Sequence, residues 1–343
     1  MLRILLISHG SIFGGAEKNF IKLFELLKEE NLDISFLLRN EKLHKKLLEK
    51  GAKSYYFGMN NINRFETFSQ YKKNIEAIKH KVNEINPDIL VIGDGFELDI
   101  DSVKKIIYIQ GQNKFSMEYL SKNQDKFDFA VVVSGPLYEY AKSFIDERKL
   151  LLIPNWIEEI EGRPKAFSDI KEFRVGWMSR LTSEKGWQDL VEALKNTDIK
   201  VDFLGDGSDF KKAKDIEKQF TNFKFLGFVE NPRSYLIKHC SVYVFSSKAS
   251  YETFGLSLLE AMSVGIPCIA YRTDVSEYVL GKDGLFYENI DELKNLIFRL
   301  KENKNFYNEQ AQYSLERVKI FSKEQAKEKF LNLFKKLSEE ANQ

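Results

Sequence analysis

Short apolar runs alternate with helix-period segments along most of the chain. Leu2–Ser8, Asp33–Arg39, Lys53–Phe57, Asp88–Ile92, Lys105–Ile109, Phe129–Val133 and Leu150–Ile153 each read as a strand. Ala16–Glu30, Glu41–Lys50 and Phe65–Glu84 repeat their apolar positions at helical spacing. Near-continuous apolar strands separated by amphipathic helices predict a parallel sheet covered on both faces. The pattern weakens over the polar stretch Trp156–Lys171 and then restarts, with strands at Arg174–Met178, Lys200–Leu204, Lys224–Phe228, Val242–Phe245 and Pro267–Tyr271. Helices are expected at Trp187–Lys195 and Asp209–Gln219, and Asn305–Glu340 carries two helical periods without a strand. The expected class is α/β: two Rossmann-like domains, 1–160 and 161–320, facing across a cleft. A C-terminal helix follows at 321–343, with packing back on the first domain as one option. Such sheets bind ligands outside the carboxyl ends of their strands, so the loops that follow strands are where chemistry should lie.

Composition narrows the classes. With 343 residues, 43% hydrophobic and 30% charged, the chain is long enough for two domains and has a globular balance. Lys+Arg 52 against Asp+Glu 51 leaves a net charge of +1, which argues against a nucleic-acid-coating protein. Two cysteines, Cys240 and Cys268, make no disulfide framework and suggest a reducing, cytoplasmic setting. The N-terminal apolar run Ile4–Ile7 is too short for a leader or a span, so no membrane-spanning segment is expected. Lysines concentrated in the first eighty residues leave two readings open, solvated helix faces or peripheral contact with the inner face of a membrane.

Three loops carry candidate chemistry. The first, Ser8 to Glu17, contains Gly14-Gly15 just before a helix, where paired glycines permit close approach to a ligand and free N–H groups face an anion. The spacing lacks the full dinucleotide fingerprint. The second, Ser179-Arg180-Leu181-Thr182-Ser183-Glu184-Lys185-Gly186, places a guanidinium and an ammonium after a strand, a pair suited to a diphosphate. The third runs from Ser247 through Glu252-Thr253-Phe254-Gly255-Leu256 to Leu259-Glu260-Ala261-Met262. Glu260 sits inside an otherwise apolar helix, an unfavourable place for an acid without a partner or ligand. The N–H groups of Phe254, Gly255 and Leu256 at that helix start are expected to hold a phosphate.

Together these loops resemble the retaining nucleotide-sugar glycosyltransferases of glycosyltransferase family 4, which have the GT-B fold. Arg180 to Lys185-Gly186 is similar to the family's "GR…EKG" segment, Gly205-Asp206-Gly207 to its "GDG" turn, and Glu252 to Glu260 to its E-x7-E motif. The match is strong over 174–290 and looser over 1–155, where Gly14-Gly15-Ala16-Glu17 fits the family's glycine loop. The resemblance implies a retaining, metal-independent transferase moving a sugar from a nucleotide-diphosphate donor to a glycan or lipid-linked acceptor, with no cofactor beyond that donor. The family's commonest employment is bacterial surface polysaccharide, lipopolysaccharide or glycoprotein glycan synthesis. By the same resemblance, Arg180 and Lys185 would hold the diphosphate and neutralise the charge that grows on it. Glu252 would bind hydroxyls of the transferred sugar. Glu260 would bind the ribose, the backbone of Val229 would meet the base, and Thr253, Phe254, Gly255 and Leu256 would line the donor. Gly14 and Gly15 would close over phosphates or sugar.

One departure stands out. Where many members carry a His after the strand Lys105–Ile109, this chain reads Gln110-Gly111-Gln112-Asn113, and Gln110 cannot shuttle protons near neutral pH. His9, in the glycine loop, is a substitute to weigh. Asp99-Ile100-Asp101 has the form of a metal-binding D-x-D but lies in a polar segment better read as capping or solvent-exposed. Two other functions stay open at this level: a nucleotide-sugar-binding protein without catalysis, and an NAD-dependent dehydrogenase or epimerase.

Overall fold

The computed structural model describes residues 1–8, 15–57, 68–93, 100, 103–250 and 252–340. His9, Gly14, Asp99 and Asp101 fall outside these residues. The chain divides into two compact units, Met1–Asn155 with Lys323–Gln343, and Trp156–Ser322. The change of unit comes at Asn155/Trp156 and not at 160/161, because the segment read as the tail of the first domain is stitched to the second. Trp156 and Ile157 are buried, and the Ile157 N–H donates to Phe321 O at 2.9 Å. The polar look of Trp156–Lys171 hides these two anchors.

The first unit comprises β1 (Leu2–Ser8), α1 (Gly15–Leu27), β2 (Leu32–Leu38), α2 (Glu41–Glu49), β3 (Lys53–Tyr56), α3 (Phe68–Ile85), β4 (Ile89–Gly93), β5 (Lys104–Ile109), α4 (Lys114–Lys122), β6 (Phe129–Val132), α5 (Gly135–Ala141) and β7 (Leu150–Leu152). The second comprises β8 (Arg174–Met178), α6 (Trp187–Leu194), β9 (Lys200–Leu204), α7 (Phe210–Gln219), β10 (Phe223–Phe225), α8 (Pro232–His239), β11 (Val242–Phe245), α9 (Leu256–Ser263), β12 (Cys268–Tyr271), α10 (Asp274–Leu280), β13 (Leu285–Tyr287), α11 (Ile290–Glu302) and α12 (Lys304–Val318). The final helix, α13 (Lys323–Glu340), belongs to the first unit.

In the first unit the strands pair in parallel in the order β3-β2-β1-β4-β5-β6-β7. Ile4–Ile7 and Leu90–Ile92 are buried without alternation, as expected for strands covered on both faces. Helix α13 buries Phe330, Leu333, Phe334 and Leu337, a 3–4 residue spacing that gives it one apolar stripe. Phe330 meets Tyr108 edge-on at 6.0 Å between centroids. Burial of such side chains is worth about 1.5–3 kcal/mol each, enough to dock a terminal helix.

The second unit repeats the plan with the order β10-β9-β8-β11-β12-β13, again parallel. Its core is aromatic: Phe203 stacks on Phe225 at 4.3 Å, and Trp187 meets Phe225 edge-on. Gly176 on β8 has a steric reason, since a Cβ there would lie 2.7 Å from Cys240 Sγ and 2.8 Å from Leu236 Cδ2. Cys240 and Cys268 are free and buried, and burial pushes the Cys240 thiol up to about 12. Strand β13 and helix α8 escape the periodicity reading because Leu-Phe-Tyr is too short to show alternation and α8 has a weak apolar stripe. The strand expected over Lys224–Phe228 stops at Phe225, because Gly227 turns the backbone into the left-handed region at φ +69°. No helix among the described residues is long and apolar enough to cross a membrane.

Candidate functional site

In the second unit the strand order reverses direction between β8 and β11, the position where open α/β sheets offer a crevice at their carboxyl ends. The loops after β8 and β11 are the ones that carry Arg180, Lys185 and Glu252. Burial holds the Tyr243 hydroxyl protonated well above the ordinary tyrosine range, and it donates to Met178 O at 3.1 Å, tying the end of β8 to β11. The Leu181 N–H donates to Asp206 O at 3.0 Å, and the Asp209 N–H to Leu181 O at 3.1 Å, which ties the β8 loop to the β9 loop.

Glycine is required at two of these crossings. A Cβ on Gly205, whose φ is +141°, would stand 1.8 Å from Ser179 O. A Cβ on Gly186, at φ +68°, would stand 2.1 Å from Ser246 O. The short turn Ser183–Lys185 is thereby pressed onto the end of β11. There the Ser246 hydroxyl donates to Lys185 O at 2.9 Å and accepts from Trp177 Nε1 at 2.8 Å. Lys185 is thus fixed through its backbone before its side chain meets anything.

That side chain meets Glu252. Lys185 Nζ lies 2.7 Å from Glu252 Oε2, with the two side chains only 11% and 22% exposed. The Ser247 hydroxyl bridges them, accepting from Lys185 Nζ at 3.4 Å and donating to Glu252 Oε2 at 3.3 Å. The other carboxylate oxygen, Oε1, accepts the Gly255 N–H at 3.1 Å. So of the three amides expected to face a phosphate, Gly255 already has an internal acceptor. Gly255 takes a left-handed φ of +78° and α9 begins at Leu256, whose amide and that of Ser257 have no acceptor within the helix. Phe254 is buried and packs edge-on against Phe321 at 5.4 Å, anchoring the loop.

The remaining candidates surround this pair. Arg180 is exposed, and its guanidinium has no ion-pair partner among the described residues. Glu260 is half-buried on the first turns of α9, and Thr253 is half-buried beside Glu252. Val229 is half-buried against the apolar cluster that includes α9, next to Phe228, which is 80% exposed. Chemically, the loops offer one exposed cation, one fixed cation, helix amides and two carboxylates. That set can hold a phosphate-bearing, hydroxyl-rich ligand without a metal. Among the described residues no group of three or more His, Cys, Asp and Glu could hold a metal ion.

The first unit places its candidates differently. Gly15 opens α1 and is exposed. Gln110 is buried, and its Oε1 accepts from Asn19 Nδ2 at 2.7 Å; the same Nδ2 donates to Asn155 Oδ1 at 2.9 Å. The motif reading missed Asn19 and Asn155. A signal for Asn19 was present, since it falls on the stripe formed by Phe20, Leu23 and Leu27 and interrupts an otherwise apolar face. Asn155 follows Ile153-Pro154 with no pattern to mark it.

Residues 159–317 match the family described as Glycosyl transferases group 1. The lipopolysaccharide 1,6-galactosyltransferase of Escherichia coli K12 is 26% identical over 286 residues, covering 75% of this chain and 76% of that protein. The crystal structure of Anabaena HepE in complex with UDP and glucose superposes with a TM-score of 0.78 at 16% identity, covering 98% of this chain and 100% of that one. The apo lipopolysaccharide outer core galactosyltransferase WaaB gives 0.70 at 22% identity, again over 98% of this chain and 100% of the other. The chain has the GT-B fold of these glycosyltransferases, and its second unit carries the group 1 domain.

Proposed function

We propose that the protein is a retaining, metal-independent transferase that moves a sugar from a nucleoside-diphosphate sugar to a glycan or lipid-linked acceptor in the making of a bacterial surface glycan. The observation that carries this reading is the Lys185–Glu252 pair at the reversal point of the second sheet, with the exposed Arg180 on the same loop as Lys185. Relatives support the choice of substrates: the E. coli enzyme is named for lipopolysaccharide galactosyl transfer, and HepE is described with UDP and glucose.

In this reading the bond between the sugar's anomeric carbon and the diphosphate oxygen breaks as the acceptor oxygen bonds to the same carbon from the same face. The departing phosphate oxygen takes the acceptor's proton. Negative charge accumulates on the diphosphate, and Arg180 and Lys185, preorganised beside it, stabilise that charge more in the transition state than in the ground state. Glu252 orients sugar hydroxyls, Glu260 the ribose, and the Val229 backbone the base. The acceptor is held by the first unit. Peripheral contact with the inner membrane face accompanies a lipid-linked acceptor.

The test is incubation with labelled UDP- and GDP-sugars and a panel of glycan and lipid-linked acceptors. Transfer with retained anomeric configuration, unaffected by a chelator, supports the reading. Binding without transfer or slow hydrolysis of any donor points instead to a nucleotide-sugar-binding protein.

A further inference from the structure

The cation suited to a phosphate, Lys185, is neutralised by a side chain of the protein itself. Both oxygens of Glu252 are engaged, Oε2 by Lys185 and the Ser247 hydroxyl, Oε1 by the Gly255 N–H. Those three donors form a small anion receptor: an ammonium, a hydroxyl and a backbone amide at a helix start. A carboxylate filling such a receptor is chemically close to the phosphate group it would take. The low exposure of the two side chains makes it costly to leave either charge without a partner.

We propose that Glu252 is an internal stand-in for the donor's pyrophosphate, which it surrenders together with Lys185 when the nucleotide binds, so that its carboxylate turns to the sugar only once the diphosphate is in place. The proposal rests on the reading of this site as a nucleotide-sugar site and adds an order of events to it. A nucleoside diphosphate without sugar takes Lys185 and leaves the carboxylate beside a second anion, with Ser247 and Gly255 as its donors among the described residues. A nucleotide sugar brings hydroxyl groups that donate to the freed carboxylate. The pair therefore selects the complete donor over its spent product, and it does so by penalising the product, not by adding a contact to the donor. Arg180 is outside the exchange, because nothing among the described residues holds it.

Isothermal titration of the full chain with UDP and with UDP-glucose reads this exchange, and GDP with GDP-mannose repeats it for the other common base. Wild type is expected to bind the sugar nucleotide more tightly than the bare diphosphate. Glu252→Gln keeps an oxygen for the Gly255 N–H but removes the charge that competes for Lys185. It should tighten UDP about ten-fold while changing UDP-glucose far less, so the preference shrinks or inverts. Glu184→Gln removes a charge of the same sign one residue away from Lys185, and a change below about two-fold there separates the exchange from general electrostatics. Equal or weaker UDP binding by folded Glu252→Gln, with wild type binding normally, overturns the proposal and leaves the donor-site reading intact. If Glu252→Gln does not fold, Glu252→Ala, which removes the competing carboxylate altogether, should likewise tighten UDP, and weaker binding overturns the proposal equally. Wild type binding none of the four nucleotides overturns the donor-site reading, and this inference with it.

Discussion

The two units share a plan and differ in what they place after their strands. Each is a parallel sheet whose order reverses beside its first strand. In the second unit the loops at the reversal carry fixed charge, Lys185 against Glu252 with Arg180 exposed nearby in sequence, locked by glycines that touch neighbouring backbone. In the first, the described groups after β5 and β7 are neutral carboxamides, Gln110 and Asn155, joined through Asn19. Charge recognises and stabilises a diphosphate; amides offer hydrogen bonds to uncharged hydroxyls and little to an anion. The contrast teaches that one sheet architecture serves two chemistries through the residue types in a few loops.

Substitutions in the two units should therefore separate donor chemistry from the rest. Arg180→Ala removes an exposed side chain with no ion-pair partner among the described residues, so transfer should fall by about 10²–10³-fold with the melting temperature almost unchanged, measured with labelled donor and by calorimetry. Near-normal turnover would remove the account of phosphate stabilisation. Gly186→Ala combines a positive φ with a contact to Ser246 O, and should destabilise the second unit by about 2–4 kcal/mol in denaturant unfolding, with loss of donor binding. Asn19→Ala removes the Nδ2 group that donates to both Gln110 Oε1 and Asn155 Oδ1. A loss of about 1–3 kcal/mol is expected, while UDP affinity stays within about two-fold, since the change lies in the other unit.

The smallest effect concerns Asp88. Its hydrogen bond from the Arg3 guanidinium holds its carboxyl below the ordinary range, and its stabilisation is present above the unfolded carboxylate value and lost as pH falls through the lowered one. Both side chains are more than a third exposed, so solvent screens the pair. Asp88→Asn should lower the melting temperature by no more than about 2 °C at pH 7, and the difference should vanish under strongly acid conditions.

Much of the second unit was legible in the chain because its signals are local. The cations follow a strand within one loop, the Gly205-Asp206-Gly207 turn is contiguous, and Glu260 interrupts an apolar helix. The pairing of Lys185 with Glu252 was not legible. They are 67 residues apart, and only the placement of β8 beside β11 brings them together. The same holds for the carboxamide trio, whose members lie 91 and 136 residues from Asn19 and meet because of strand order. Trp156 failed for a different reason: a buried indole inside a polar stretch looks like a linker residue until its surroundings are known. Local periodicity reports which face is apolar, and it is silent on which neighbour that face will find.

A crystal structure of the chain with a bound nucleotide sugar bears most directly on all of this. The diphosphate oxygens should lie within hydrogen-bond distance of both the Arg180 guanidinium and Lys185 Nζ, with Glu252 turned from Lys185 to the sugar hydroxyls. A nucleotide seated on other residues, with Arg180 facing solvent and Lys185 still held by Glu252, would contradict it.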